Sequence, residues 1–184
     1  MHARRHLVAG AAAVLLLLGG CGTAPASRPA GPAATAAVSP DFNATDVTFV
    51  RTLIPHHRQG IEIAAIGAER ASRAEVRVLA NAIVATQEDE ATRMQGWLET
   101  WKQQPAAASG APDTGEAIAG LRKASGTAAD KAFLDLLIAH QKEAIQLART
   151  ESEGGRNPNA LAFARQVQES RAAEIEQLEG YRSQ

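Results

Sequence analysis

Asp46-Val47-Thr48-Phe49-Val50-Arg51-Thr52-Leu53-Ile54-Pro55-His56-His57 returns later in the chain as Asp130-Lys131-Ala132-Phe133-Leu134-Asp135-Leu136-Leu137-Ile138-Ala139-His140-Gln141. The register continues without a gap over residues 46–98 and 130–182, so that Ile61 meets Ile145, Ala64 meets Ala148 and Glu90 meets Glu174. A gapless internal repeat means that the fold is built from two copies of one unit. Outside the leader the chain has three histidines, His56, His57 and His140, and all fall at this one place in the repeat.

The unit is helical. Aromatic residues make up only 4% of the chain and β-branched runs are few, so strand signals are weak. Ala, Leu, Glu, Gln and Arg dominate, and these are good helix formers. Four segments carry the apolar spacing of three and four residues that marks one helix face. They follow Phe49, Leu53, His56, Gly60 and Ile63; then Val76, Ala80, Ile83, Gln87, Glu90, Met94, Trp97 and Trp101; then Phe133, Leu137, His140, Ala144 and Leu147; then Ala160, Ala164, Val167, Arg171, Glu174, Leu178 and Tyr181. Polar breaks near Ser72 and at Gly154-Gly155-Arg156-Asn157-Pro158 turn each pair of segments into a hairpin. Asn43 and Thr127 stand at the same repeat position and are expected to cap the hairpins' first helices. Pro55 lies inside the first pattern and is expected to kink its helix, although a helix starting there would also accept it.

Hairpin one is expected over 43–102, a linker over 103–127 with a short helix near 114–124, and hairpin two over 128–182. An all-α four-helix bundle over 42–184 with one long crossover follows, the ferritin-like arrangement.

The start of the chain reads as an export leader. Arg4 and Arg5 precede an apolar stretch from Leu7 to Gly20, shorter than the ~20 residues of a membrane span. Residues 1–20 therefore read as a signal peptide. Leu18-Gly19-Gly20-Cys21 resembles a bacterial lipoprotein processing site, which implies a lipidated Cys21 on the outer side of a membrane. Residues 22–41 are mostly Gly, Ala, Pro, Ser and Thr and read as a tether following Cys21. Cys21 is the only cysteine, so no internal disulfide or thiolate metal site exists. Without Arg4 and Arg5, 17 Lys and Arg face 20 Asp and Glu, a net charge of −3. That balance gives nucleic acid no electrostatic footprint. The lipid anchor is the only expected contact with a membrane; a homo-oligomer or a protein partner is left open.

The polar residues on the apolar seams carry the functional question. His56 and Glu90 lie at similar distances from the first turn, and His140 and Glu174 at similar distances from the second. Each His–Glu pair is therefore expected at one height inside the bundle. An interior polar group without a partner costs ~1–3 kcal/mol. Either a metal ion or a buried His–Glu hydrogen bond supplies the partner. Imidazole and carboxylate donors suit copper, zinc or iron, with Met94 as a further donor one turn from Glu90. His56 and His57 are adjacent and diverge by about 100° around a helix, so an ion would have to be held between helices. The absence of Glu-x-x-His disfavours a carboxylate di-iron centre. Arg171 replaces Gln87 in the second copy and is expected to neutralise Glu174, leaving the first hairpin as the better site.

The segment Phe49 to His57, continued by Ile61-Glu62-Ile63-Ala64 and by Gln87, Glu90, Met94 and Trp97-Leu98, resembles the bacterial "domain of unknown function 305" family. The resemblance spans both repeats. It implies a ferritin-like bundle, export and metal handling, with copper the best-known case. The chain departs from the family's methionine-rich pattern. Thr52-Leu53 and Leu136-Leu137 stand where a methionine pair is common, Ile63 and Leu147 stand where Met is frequent, and His140-Gln141 replaces a second His pair. Fewer thioethers mean fewer Cu(I) donors, so the resemblance implies imidazole-based Cu(II) binding at His56, His57 and His140. The competing readings are a metal-free structural or interaction bundle and a redox enzyme on the same frame.

Overall fold

The computed structural model describes residues 38–105 and 114–184. Cys21, the signal peptide and most of the tether lie outside the described residues. These described residues belong to one compact unit. Its described residues contain five helices and no strand: α1 (Ala44–Arg70), α2 (Ala74–Thr100), α3 (Gly115–Lys123), α4 (Gly126–Gly154) and α5 (Pro158–Arg182). The last residues of α1 and α4, Arg70 and Gly154, are equivalent in the repeat, as are the first residues of α2 and α5, Ala74 and Pro158. α1 pairs with α2 and α4 with α5, and the two hairpins meet through α1 and α4.

Local chemistry sets the helix ends. Asn43 Oδ1 accepts from the backbone N–H groups of Thr45 and Asp46 at 2.8 and 3.1 Å. Asp46 Oδ2 accepts from Asn43 N at 2.6 Å, completing a capping box. Thr127 is not a cap, contrary to expectation. α4 starts two residues earlier than a Thr127 cap would place it, at Gly126, whose φ of 60° suits glycine, behind Ser125, whose side chain makes no capping bond. α1 runs unbroken through Pro55. The helix therefore does not begin at the proline, whose missing N–H leaves the Arg51 carbonyl without its usual donor.

The repeated aspartates fix how the hairpins dock. Asp46 Oδ1, at the start of α1, accepts from Arg156 N at 3.0 Å and Asn157 N at 2.8 Å in the α4–α5 turn. Asp130 Oδ1, at the start of α4, accepts from Ser72 N at 2.7 Å in the α1–α2 turn, and Asp130 also bonds the Ser72 hydroxyl. Each hairpin thus caps the other's turn, which makes α1 and α4 antiparallel. Hydrogen bonds to a charged group contribute about 1.5–3 kcal/mol. The end of the expected tether is also held: Trp101 Nε1 donates to Ser39 O at 3.0 Å, and Phe42 stacks on Trp101 with ring centroids 5.0 Å apart.

Antiparallel docking divides the core in two. One cluster joins Val47–Ile54 of α1 to Met94–Leu98 of α2 and the following Trp101, Ala144 and Ala148 of α4, and Ala160–Val167 of α5. The other joins Ile63–Ile66 of α1 to Val76–Ile83 of α2, α3, Phe133–Ile138 of α4, and Leu178 of α5. On every long helix the polar residues of the seam lie between these clusters: His56 and His57, Gln87 and Glu90, His140 and Gln141, Arg171 and Glu174.

Candidate functional site

The polar layer is buried. His56, His57, Gln87, Glu90, His140, Gln141 and Arg171 are each at most 2% exposed. Its pairing differs from the sequence expectation by one residue. Glu90 Oε2 meets His57 Nε2 at 2.8 Å, not His56. Glu174 Oε2 accepts from Gln141 Nε2, not from His140. The intervals are the same in both copies, since positions 57 and 90, like 141 and 174, are 33 apart. Counting residues from each turn gives the height. It leaves undecided which of two adjacent side chains turns towards the partner helix of the hairpin, and helix rotation settles that for His57.

Arg171 closes the layer. Its guanidinium bonds Glu174 Oε1 at 2.7 Å and also bonds Glu90 Oε2 across to α2. It bonds both carboxylates, where the sequence reading paired it with Glu174 alone. Burial alone would push Glu90's pKa up, but His57 and Arg171 hold it below the ordinary glutamate value. Burial raises that of Glu174 despite the nearby Arg171 charge. Met94 is fully buried within an apolar cluster.

His56 and His140 face the hairpin junction instead. Equivalent in the repeat, they stack on one another with ring centroids 3.8 Å apart and planes inclined by 28°. The His56 and His57 ring centroids are 6.5 Å apart, so the adjacent pair diverges as expected. Close approach requires Gly60: a Cβ there would lie 2.7 Å from His140 Cε1 and 2.2 Å from Gln87 Oε1. His140 Nε2 reaches the His56 carbonyl at 3.1 Å and donates to it as the Nε2–H tautomer. Neither ring nitrogen of His56 has a hydrogen-bond partner, and Nδ1 of His57 has none.

Burial keeps these rings neutral. His56 is brought down to about 2, by desolvation first and then by the neighbouring His140, His57 and Arg171. Desolvation also brings His140 down to about 4. Desolvation lowers His57 as well, although Glu90 opposes it. An ordinary imidazole value near 6.5 therefore does not describe this centre. Neutral imidazole is the form that coordinates metals. Among the described residues, no group of three or more His, Cys, Asp or Glu is arranged to hold an ion.

Sequence reasoning missed Glu143. Its Oε2 lies 3.7 Å from His56 Nε2 at the outer edge of the α1–α4 crossing. The available signal was its position three residues after His140, which puts both on one side of α4.

Fold and site together define an all-helical bundle with a buried histidine–carboxylate–arginine layer at mid-height. Residues 46–182 match the domain of unknown function DUF305, and the chain belongs to that family. No curated protein matches at a significant level. Among solved structures, CopM in its Cu(I)-bound form is 27% identical, with 76% of this chain and 96% of that chain covered and a TM-score of 0.67. A DUF305 fragment from Deinococcus radiodurans is 28% identical, covering 77% and 97%, with a TM-score of 0.69. A DUF305 protein from Streptomyces coelicolor, described as secreted, is 26% identical, covering 73% and 88%, with a TM-score of 0.68.

Proposed function

We propose that this protein is an extracytoplasmic copper-binding protein, anchored to the membrane through a lipidated Cys21, that buffers copper outside the cytoplasm. The observation that carries the reading is the meeting of His56 and His140, neutral and stacked at 3.8 Å where the two hairpins cross. Support comes from the Cu(I)-bound form of CopM, a similar fold, and from the Streptomyces protein described as secreted.

The donor chemistry decides which residues take part. His56 offers two unpartnered ring nitrogens, and Nδ1 of His140 and of His57 are also without partners. Imidazole suits copper, zinc and iron. Glu90 and Glu174 are engaged by Arg171, so they orient the layer rather than bind the ion. Met94 belongs to the apolar packing. His56 and His140 are the main ligands, His57 a secondary one, and water completes the shell. The four long helices form the ferritin-like frame, two repeated hairpins that carry one imidazole each to the crossing.

A second reading is favoured by Arg171, whose side chain is fully buried between two carboxylates. Here the layer is a metal-free device that fixes helix register, and the outer faces bind a partner. Titration of the purified full chain with Cu(II), Cu(I) and Zn(II) against competing chelators separates the two. Micromolar or tighter copper binding, lost in His56→Ala and His140→Ala, supports the first reading. Weak binding that neither variant changes, with both variants melting at lower temperature, refutes it in favour of the second.

A further inference from the structure

Glu143 lies beside His56 at the α1–α4 crossing and makes no hydrogen bond among the described residues. Its Oε2 is 3.7 Å from His56 Nε2, too far for a hydrogen bond. Some surface carboxylates pair with cations, Glu62 with Arg122, Asp135 with Lys131, and Glu179 with Lys142 and Arg182. Among the described residues Glu143 has no such Lys or Arg. The His56 side chain is 2% exposed and that of Glu143 46%. One donor therefore faces the core and the other opens to water.

We propose that Glu143 and His56 form a divalent-cation site at the solvent edge of this crossing, and that the carboxylate gives it a preference for Cu(II) over Cu(I). The inference rests on the copper reading and names the oxidation state that the site takes. Two donors each ~2.1 Å from one ion stand at most about 4.2 Å apart, so a 3.7 Å separation lets both reach the same cation. A nitrogen and a charged oxygen are the harder donors that Cu(II) favours, whereas Cu(I) favours sulfur. Exposure of Glu143 lets a hydrated cation arrive with its water shell and lose only part of it.

The test compares Glu143→Gln, Glu143→Met and His56→Ala in the full chain, with fold checked by circular dichroism melting. Cu(II) is titrated against a chelator and followed by electron paramagnetic resonance, and Cu(I) is titrated under reductant. Glu143→Gln keeps the side-chain shape and removes the charge. It is expected to weaken Cu(II) binding at least tenfold and Cu(I) binding less than twofold. Glu143→Met is expected to reverse the preference. If Glu143→Gln stays within twofold of wild type for Cu(II) while His56→Ala abolishes binding, this inference is overturned and the copper reading stands. If the wild-type chain binds no copper in either state, both fall together.

Discussion

Acidifying the metal-free protein from pH 6.5 to pH 5 destabilises it through the buried imidazoles, and replacing Glu151 exposes the size of the effect. His56 and His140 stay neutral in the folded state down to about 2 and about 4, whereas the unfolded chain protonates both near 6.5. Unfolding therefore takes up protons below pH 6.5, and stability falls as pH falls until the folded values are reached. For two imidazoles between pH 6.5 and pH 5 the loss is about 3 kcal/mol, and His57, lowered by burial, adds to it in the same direction. Glu151 acts oppositely. Fully buried beside Asp46, it is pushed up to about 8, by desolvation first and then by that neighbouring carboxylate. It stays protonated in the folded state and loses its proton on unfolding above about 4.5. Its contribution is present at low pH and is lost as pH rises through 8, at up to about 1.4 kcal/mol per unit. In wild type the two arms partly cancel between pH 5 and 6.5. Glu151→Gln removes the Glu151 arm and leaves the imidazoles opposed by Glu174, whose pKa burial also raises. Urea unfolding in chelator, followed by far-ultraviolet circular dichroism at pH 5, 6.5, 7.5 and 8.5, measures both. The variant should lose more stability than wild type from pH 6.5 to 5, approaching the about 3 kcal/mol of the two imidazoles, and should decline less than wild type from 7.5 to 8.5. If the variant is equally stable at pH 6.5 and 5, the rings titrate alike folded and unfolded, and buried neutral imidazoles are not the cause.

Gly60→Ala should destabilise by about 1–3 kcal/mol, seen as a lower urea midpoint, because the added Cβ would lie 2.2 Å from Gln87 Oε1; unchanged stability would mean that the crossing is loosely packed. Arg171→Met leaves Glu90 and Glu174 buried without their cation and should cost about 3–5 kcal/mol. Adding Glu174→Gln should restore part of that loss, and additive losses in the double variant would disprove the shared network. Asp130→Ala removes the bond to Ser72 N at 2.7 Å and should cost about 1.5–3 kcal/mol. Its effect should appear in hydrogen exchange as faster opening of the α1–α2 turn, while the α4–α5 turn held by Asp46 is unaffected.

Much of this is legible in the residues and some is not. The gapless repeat and the apolar spacing of three and four give the long helices, because helical periodicity is a local property of the chain. The height of the polar layer is legible too, since rise per residue is constant along a helix. What escapes is rotation and reach. Helix rotation decides that His57 and Gln141, not His56 and His140, turn towards Glu90 and Glu174. The length of one buried arginine decides that both carboxylates share a cation. Antiparallel docking, set by Asp46 and Asp130 each capping the opposite turn, brings the repeat-equivalent His56 and His140 into ring contact and puts Glu143 beside them. Local pattern along the chain is enough to say which side chains are interior and at what level. Which of them touch is settled only when the helices are assembled, because contacts between helices depend on crossing and rotation, which no single helix encodes.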